Sequence, residues 1–239
     1  TGKLAGSEHK VTVTVASQSQ SGTGFNFVFS SPTIANVRLP ASNPTSGGAT
    51  ITVEGTNFGA TTSELAIKVG LTSCSNAGMF VGHTSLMCMI GAGVGKQLDV
   101  SVTVDSLAGT LAGSYFYDRP AVTRVSPDTG PTTGGFLVTL SGSNFGAATG
   151  HATTIEIGGR ACSPLSSQTH TSVVCTLAAG TGASRPVYMK IQHDGSVVNR
   201  DQSVTAASMF TYTRPSIASF LPLNGPTVGG GSLTIQGSN

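Results

Sequence analysis

A pattern that recurs about every 90 residues constrains the fold of this chain more than any other feature. The copies begin at Pro32, Pro120 and Pro215, which gives spacings of 88 and 95 residues. Each copy contains a Pro-Thr-x-Gly-Gly segment and then reaches Gly-x-Asn, which continues as Phe-Gly in the first two copies. This period is too long for a solenoid repeat and matches the length of one β-sandwich domain.

Three copies of one aromatic junction indicate where the repeats meet. The junctions are Phe27-Val-Phe29-Ser-Ser-Pro32, Tyr115-Phe-Tyr117-Asp-Arg-Pro120 and Phe210-Thr-Tyr212-Thr-Arg-Pro215. We therefore predict four parts: the end of one domain at 1–32, complete domains at 33–119 and 120–214, and the start of a further domain at 215–239. Because both ends fall inside domains, we expect the natural chain to continue in both directions.

Short stretches of alternating apolar and polar residues predict that these domains are built from β-strands. Val alternates with Ser or Thr over 11–15 and over 100–104, and Ile or Val alternates with Thr or Glu over 51–54. A period of two places the apolar residues on one face of a half-buried strand. Gly-Gly and Asn-Phe-Gly segments separate the strands, where turns require residues that tolerate positive φ. Since no capped helical stripe is present, we expect an all-β chain.

The composition argues against nucleic-acid and membrane-spanning roles. Only 9% of the residues are charged, and the net charge of +2 comes from 12 Lys and Arg against 10 Asp and Glu. These charges are spread thinly, so no basic face could neutralise phosphates, and we expect no nucleic-acid partner. No apolar run approaches the ~20 residues that a membrane-spanning helix needs. Hydrophobic residues still reach 38%, which favours folded cores over disorder.

The segment Gly130–Gly146 resembles the IPT/TIG family, an immunoglobulin-like fold found in plexins and in some transcription factors. Its sequence is Gly-Pro-Thr-Thr-Gly-Gly-Phe-Leu-Val-Thr-Leu-Ser-Gly-Ser-Asn-Phe-Gly, and its motif recurs in all three copies. The resemblance covers the whole chain and implies tandem immunoglobulin-like β-sandwiches arranged as an elongated rod. One departure is a longer segment between Val187 and Phe210, which implies an extended loop in the last hairpin of the second complete domain.

Four cysteines fall two in each complete domain, as in the extracellular members that the chain resembles. Cys74 is followed by Cys88, and Cys162 is followed by Cys175, at nearly equal spacing. This pattern implies one disulfide inside each domain. A zinc site is the alternative, but it would need Cys-x-x-Cys spacing or nearby His ligands, and neither is present. Closing a loop of about 15 residues stabilises a fold by about 3 kcal/mol in the chain-entropy account.

No residue pattern indicates catalysis or a bound metal, so we expect no catalytic site and no cofactor. No Ser lies in a Gly-x-Ser-x-Gly motif, and Gly91–Gly95 lacks the Lys-Ser/Thr ending of a phosphate-binding loop. The five His do not recur at equivalent positions. Asp118 and Asp128 lie near a junction of the kind that calcium rigidifies in some tandem modules. The equivalent junctions carry Ser30-Ser31 and Thr213-Arg214, so no calcium site recurs.

We expect an extracellular or cell-surface protein, because disulfide-bonded tandem modules belong to oxidising compartments. The leading hypothesis is a structural or adhesive segment of a long repeat protein that forms a filament or a glycosylated surface coat. Its partners would be copies of itself or neighbouring surface proteins. Two features favour it: the junction Tyr117–Pro120 has no flexible linker, and a weakly charged surface suits a covered protein.

Three alternatives to this hypothesis remain. The first is the ligand-binding ectodomain of a plexin-like cell-surface receptor, which would need a membrane anchor elsewhere in the parent chain. The second is an intracellular transcription factor, against which the paired cysteines and the missing basic face argue. The third is a spacer module of a secreted carbohydrate-active enzyme, in which the repeats would end at a catalytic domain.

Hydroxyl side chains are predicted to carry O-linked sugar. No Asn-x-Ser/Thr acceptor with a permitted middle residue occurs in the chain, so we expect no N-linked glycan. Hydroxyls beside proline and in Thr-rich runs are the better candidates: Ser31, Thr61, Thr62, Ser126, Thr132, Thr133 and Ser163. Strand propensity explains any one of these residues equally well, so the prediction concerns the surface as a whole.

Overall fold

The computed structural model of the protein describes residues 9–59, 65–193 and 202–239, and every regular element in these ranges is a β-strand. The expected all-β fold is confirmed, and these ranges contain no helix that could cross a membrane. Two strands precede Pro32: β1 (His9–Val15) and β2 (Gln18–Phe27). The first complete repeat contributes β3 (Thr33–Arg38), β4 (Thr50–Thr56), β5 (Leu65–Val69), β6 (Thr72–Ser73), β7 (Ser75–Gly82), β8 (Ser85–Met89), β9 (Leu98–Val104) and β10 (Leu107–Tyr115).

Ten further strands follow the first complete repeat. The second complete repeat contributes β11 (Ala121–Ser126), β12 (Thr129–Gly130), β13 (Phe136–Ser143), β14 (Ala152–Ile157), β15 (Arg160–Gln168), β16 (Ser172–Leu177), β17 (Arg185–Gln192) and β18 (Gln202–Tyr212). The remaining residues form β19 (Ser216–Leu221) and β20 (Thr234–Ser238).

The first complete repeat folds as two four-stranded sheets that enclose one core. One sheet has the strand order β3-β4-β8-β7 and the other has the order β10-β9-β5-β6. The residues of β9 alternate strictly between buried and half-buried, as the Val-Ser/Thr pattern over 100–104 predicts. The core cluster draws on both sheets: Ile51, Val53, Phe58, Ile67, Val69, Leu86, Cys88, Ile90, Leu98, Val100, Val102, Val104, Tyr115 and Tyr117.

The second complete repeat follows the same strand path, but its strands form one continuous ladder. The strand order is β11-β13-β16-β15-β14-β17-β18-β12. The start of β15 pairs with β14 and the rest pairs with β16, so β15 connects the two halves. In the first repeat the corresponding stretch is divided into β6 and β7 at Cys74. Val187 lies on β17 between β14 and β18, as Val100 lies on β9 between β5 and β10, so the two strands are equivalent.

The strands near the two ends of the chain form small sheets of their own. β1 and β2 pair as one two-stranded sheet, and β19 and β20 pair as another. Val11, Val13 and Val15 are 49%, 59% and 68% exposed. The strands predicted for this segment are present, and no described second sheet packs on their Val face.

The chain divides into two compact units. Unit 1 comprises Thr1–Asp118, Thr149–His151 and Gln192–Gln202, and unit 2 comprises Arg119–Ala148, Ala152–Ile191 and Ser203–Asn239. Gln202 begins β18 of the second repeat in sequence but belongs to unit 1 in space. The longer loop expected between Val187 and Phe210 falls largely on residues 194–201, which lie outside the described ranges. The four predicted domain ranges stay a prediction.

Candidate functional site

The Gly-x-Asn-Phe-Gly motif fastens the start of each repeat to its second long strand. A Cβ atom at Gly55 would overlap the carbonyl oxygen of Thr33, so only glycine permits this approach of β4 to β3. Asn57 has a positive φ of 64°, and its Nδ2 donates a hydrogen bond to the Ser31 carbonyl at 3.1 Å. Phe58 is fully buried in the core. Gly55, Asn57 and Phe58 therefore each have their own structural role.

The second repeat makes the same contacts with its own motif. A Cβ atom at Gly142 would overlap the carbonyl oxygen of Ala121. Asn144 has a φ of 60° and donates to the Arg119 carbonyl at 3.3 Å. Arg119 and its counterpart Ser31 are the residues immediately before the junction prolines. The motif thus holds the backbone at the point where the chain enters each repeat.

The last tyrosine of the first repeat is anchored where the chain leaves that repeat. The rings of Tyr115 and Tyr117 meet edge to face with centroids 5.1 Å apart, and Tyr117 is 1% exposed. The Tyr117 hydroxyl donates to the Gly91 carbonyl at 2.9 Å. Burial raises the pKa of this hydroxyl above its usual value. A Cβ atom at Gly93 would collide with the ring, so this position also requires glycine.

The second repeat ends in the same way. The rings of Phe210 and Tyr212 meet edge to face at 5.1 Å, and the Tyr212 hydroxyl donates to the Ala178 carbonyl at 3.0 Å. The two-residue strand β12 pairs in parallel with the end of β18, which fixes this segment further. The aromatic junctions recognised in the sequence are therefore anchored chain exits in both complete repeats.

Asp118 helps to close the first repeat. Its carboxylate accepts hydrogen bonds from the Ser42 hydroxyl at 2.6 Å and from the Asn43 N–H at 3.0 Å. At the second junction Thr213 takes the equivalent position, and its hydroxyl donates to the Gly130 carbonyl at 3.0 Å. Within the described ranges no group of three His, Cys, Asp or Glu residues could hold a metal ion. Both hydrogen bonds end on the same oxygen, Oδ2, of the Asp118 carboxylate.

Gln202 is a buried polar side chain that sequence reasoning missed. It is 4% exposed, and its Nε2 donates to the Tyr117 carbonyl at 2.5 Å. Its Oε1 accepts a hydrogen bond from the Gly95 N–H at 3.3 Å. The repeat comparison could not identify it, because Gln202 lies in the longer hairpin that has no counterpart in the first repeat. A single Gln between Asp and Ser carries no other signal.

The four cysteines form two disulfides, each within one repeat. Cys74 is joined to Cys88 and Cys162 to Cys175, with Cα atoms 5.7 Å and 5.3 Å apart. Cys88, Cys162 and Cys175 are essentially fully buried. Each bridge lies where the strand path is irregular: Cys74 separates β6 from β7, and the register of β15 shifts after Cys162. Each disulfide therefore joins its two strands at a position where the ladder of backbone hydrogen bonds is irregular.

The predicted O-glycosylation positions differ in accessibility. Ser31, Ser126, Thr133 and Ser163 are exposed, whereas Thr132 is half-buried. The carbonyl of Thr132 also accepts a hydrogen bond from the Gly180 N–H at 3.0 Å. Thr61 and Thr62 lie outside the described residues. Four of the seven positions are thus open to modification, and glycosylation itself stays a prediction.

The IPT/TIG domain profile matches residues 32–117 and 120–212, which together make up most of the chain. The chain belongs to the IPT/TIG family. The resemblance inferred from Gly130–Gly146 is confirmed, with two tandem copies. The anchored tyrosines, the Gly-x-Asn-Phe-Gly contacts and the disulfides are therefore features of these IPT/TIG repeats.

The chain is similar to parts of several solved structures. The extracellular region of plexin A4 is 20% identical over 76% of this chain and 18% of that chain, with a TM-score of 0.36. The surface glycan-binding protein PbSGBP-B from Prevotella bryantii is 16% identical over 76% of this chain and 43% of that chain, with a TM-score of 0.47. Invasin, a bacterial integrin-binding protein, is 18% identical over 98% of this chain and 54% of that chain, with a TM-score of 0.27. The IPT/TIG chain thus spans less than two thirds of each of these three structures.

Proposed function

We propose that this IPT/TIG chain is a structural or adhesive segment of an extracellular repeat protein and that its repeats form a stiff rod. The observation that carries the proposal is the hydrogen bonding at the end of the first repeat. The N–H of Tyr117 donates to Gly95, its hydroxyl donates to Gly91 and its carbonyl accepts from Gln202. The next N–H, that of Asp118, donates to the Asn43 carbonyl at 2.8 Å.

This bonding distinguishes the junction from a flexible linker. A flexible linker leaves its backbone groups to solvent and samples many directions. Here the polar groups of Tyr117 are occupied within unit 1, and Pro120 restricts φ only three residues later. The chain therefore leaves the first repeat along a defined path. A rod of such repeats needs no active site, so the proposed role is structural rather than catalytic.

An extracellular or cell-surface location follows from the same proposal. Two buried disulfides are stable in oxidising compartments and rare in the cytosol. No free cysteine occurs among the described residues, so these residues offer no thiol for metal binding or redox chemistry. The weakly charged surface supports coverage by sugar or by neighbouring chains, as in a filament or surface coat.

Small-angle X-ray scattering of the 239-residue chain tests the rod. A compact chain of this length has a radius of gyration of about 18 Å. Repeats of about 40 Å placed end to end would give a radius of gyration of about 30 Å. A value near 18 Å, or a scattering curve typical of freely jointed domains, would contradict the rod.

Mass and size measurements test the coat and the filament separately. The intact mass of the protein from its native source should exceed the mass of the bare polypeptide. The difference would be sugar on exposed hydroxyls such as those of Ser126, Thr133 and Ser163. Light scattering of the same material should show assemblies larger than one chain. The bare polypeptide mass would remove the sugar coat, and monodisperse single chains would remove the filament.

A further inference from the structure

In unit 1 the side chain of Gln202 fills a gap between two backbone segments. The Tyr117 N–H donates to the Gly95 carbonyl at 2.9 Å, and a regular antiparallel pair would return a bond from the Gly95 N–H to the Tyr117 carbonyl. The carboxamide of Gln202 replaces that return bond. Its oxygen accepts from Gly95 at 3.3 Å, and its nitrogen donates to Tyr117 at 2.5 Å. One primary amide therefore satisfies one donor and one acceptor.

Unit 2 contains an equivalent set of three hydrogen bonds around its last tyrosine, and we call this set the frame. The Tyr212 N–H donates to the Gly182 carbonyl, the Tyr212 hydroxyl donates to Ala178, and the Gly180 N–H donates to Thr132, each at 3.0 Å. The three corresponding distances in unit 1 are 2.9 Å. The two frames thus agree within 0.1 Å at every one of these bonds.

The frame of unit 2 encloses an open cavity where unit 1 holds the glutamine side chain. The cavity has a volume of about 270 Å³, and its lining includes Thr132, Gly182, Tyr212, Thr213, Arg214 and Asn239. In unit 2 the Tyr212 N–H donates to the Gly182 carbonyl, and no return bond from the Gly182 N–H to the Tyr212 carbonyl occurs among the described residues. The donor and the acceptor that correspond to those bound by Gln202 in unit 1 therefore belong to residues that line this cavity.

We propose that this cavity binds a primary carboxamide, supplied by a glutamine on a strand of a further IPT/TIG repeat in the manner of Gln202. A carboxamide offers an acceptor to Gly182 and a donor to Tyr212. A carboxylate offers acceptors alone and would place a negative oxygen against the Tyr212 carbonyl, whereas an ammonium group has no acceptor for Gly182. The proposal depends on the geometry of unit 2 and holds whether or not the repeats form a rod.

NMR of the ¹⁵N-labelled 239-residue chain tests the proposal with a peptide of residues 198–206, which presents Gln202 in its own sequence. We expect saturable shifts of the Gly182 amide and of the Thr213 amide, which follows the Tyr212 carbonyl. Peptide concentrations on the order of 10 mM cover the weak affinity of a single side chain. Peptides carrying Gln202→Glu or Gln202→Ala should leave both resonances unchanged.

Two variants of the chain sharpen the test. In Gln202→Ala the vacated site at Gly95 should respond to the glutamine peptide in the same concentration range as Gly182. Ser203→Ala should leave the response to the glutamine peptide unchanged, because Ser203 is exposed and lies outside the cavity lining.

Three outcomes would overturn the proposal. The first is no shift at Gly182, whether or not Gly95 responds in the Gln202→Ala chain. The second is binding of the glutamate peptide that Arg214→Ala abolishes, which would make the cavity an anion site. The third is an equal response to N-acetylglucosamine, which would make the cavity an acetamido-sugar site rather than a site for a protein side chain.

Discussion

Replacing Gln202 by Ala tests whether one buried side chain stabilises unit 1. The substitution removes the hydrogen bonds to the Gly95 N–H and the Tyr117 carbonyl and leaves both groups buried without partners. An unsatisfied buried group costs about 1–3 kcal/mol. Because a water molecule can enter the space and satisfy part of this demand, we expect the free energy of unfolding of unit 1 to fall by about 2–3 kcal/mol in total. Unit 2 should be unaffected, since it makes neither bond.

Thermal unfolding followed by NMR measures the effect in each unit separately. Resonances of Tyr115 and Tyr117 report unit 1, and those of Tyr212 report unit 2. A loss of 2 kcal/mol corresponds to a fall of about 10 °C in Tm for a domain of this size. The matched control is Ser203→Ala, an exposed neighbour on the same strand, which should change stability by less than about 0.5 kcal/mol. The reasoning is refuted if Gln202→Ala is no more harmful than this control, or if unit 2 is destabilised equally.

Three further predictions concern the other anchoring features. Gly55→Ala should destabilise the first repeat by about 3 kcal/mol or more in thermal unfolding, because the new Cβ overlaps the Thr33 carbonyl. Non-reducing peptide mapping should recover one linked pair from each repeat, and free thiols or a link between repeats would contradict the assignment: Cys74–Cys88 and Cys162–Cys175. Tyr117→Phe should cost about 1 kcal/mol at neutral pH. Because the folded-state pKa of Tyr117 is raised, its contribution is complete below about pH 10 and is lost as the pH rises through the folded-state value. Urea unfolding of the Phe variant should therefore show a smaller decline of stability in alkali than the parent chain, and an unchanged decline would contradict the assignment.

The fold was predictable because the informative residues recur. The Gly-x-Asn-Phe-Gly motif appears in two full copies and one partial copy, and its contacts are local: Asn57 reaches Ser31, only 26 positions away. The alternation over 100–104 likewise predicts strand β9. This strand lies between β5 and β10 and has one face in the core. Residues that recur in each repeat and contact partners nearby in sequence leave a recognisable pattern in a single sequence.

The parts that could not be predicted depend on what covers a residue or how far away its partner lies. Alternation specifies a face and not the sheet that packs on it, so the segment 11–15 and strand β9 share one pattern although the described residues supply a second sheet only for β9. Gln202 contacts Tyr117 across 85 positions of sequence and occurs once. Its role arises from tertiary packing alone, which a pattern of neighbouring residues does not encode.

The surface chemistry connects the low charge of the chain to the proposed coat. Hydroxyl side chains pair with each other across strands, at 2.7 Å between Thr33 and Thr56 and at 2.9 Å between Ser216 and Ser238, the equivalent pair of the last repeat. A neutral hydroxyl that already has a partner loses little when water is removed, whereas a Lys or Glu side chain would lose its hydration. Covering such a surface with sugar or with another chain therefore costs less than covering an ordinary charged surface. A chain with only 9% charged residues is thus suited to a covered position. A native protein whose surface carries neither sugar nor a neighbouring chain would contradict this explanation of the low charge.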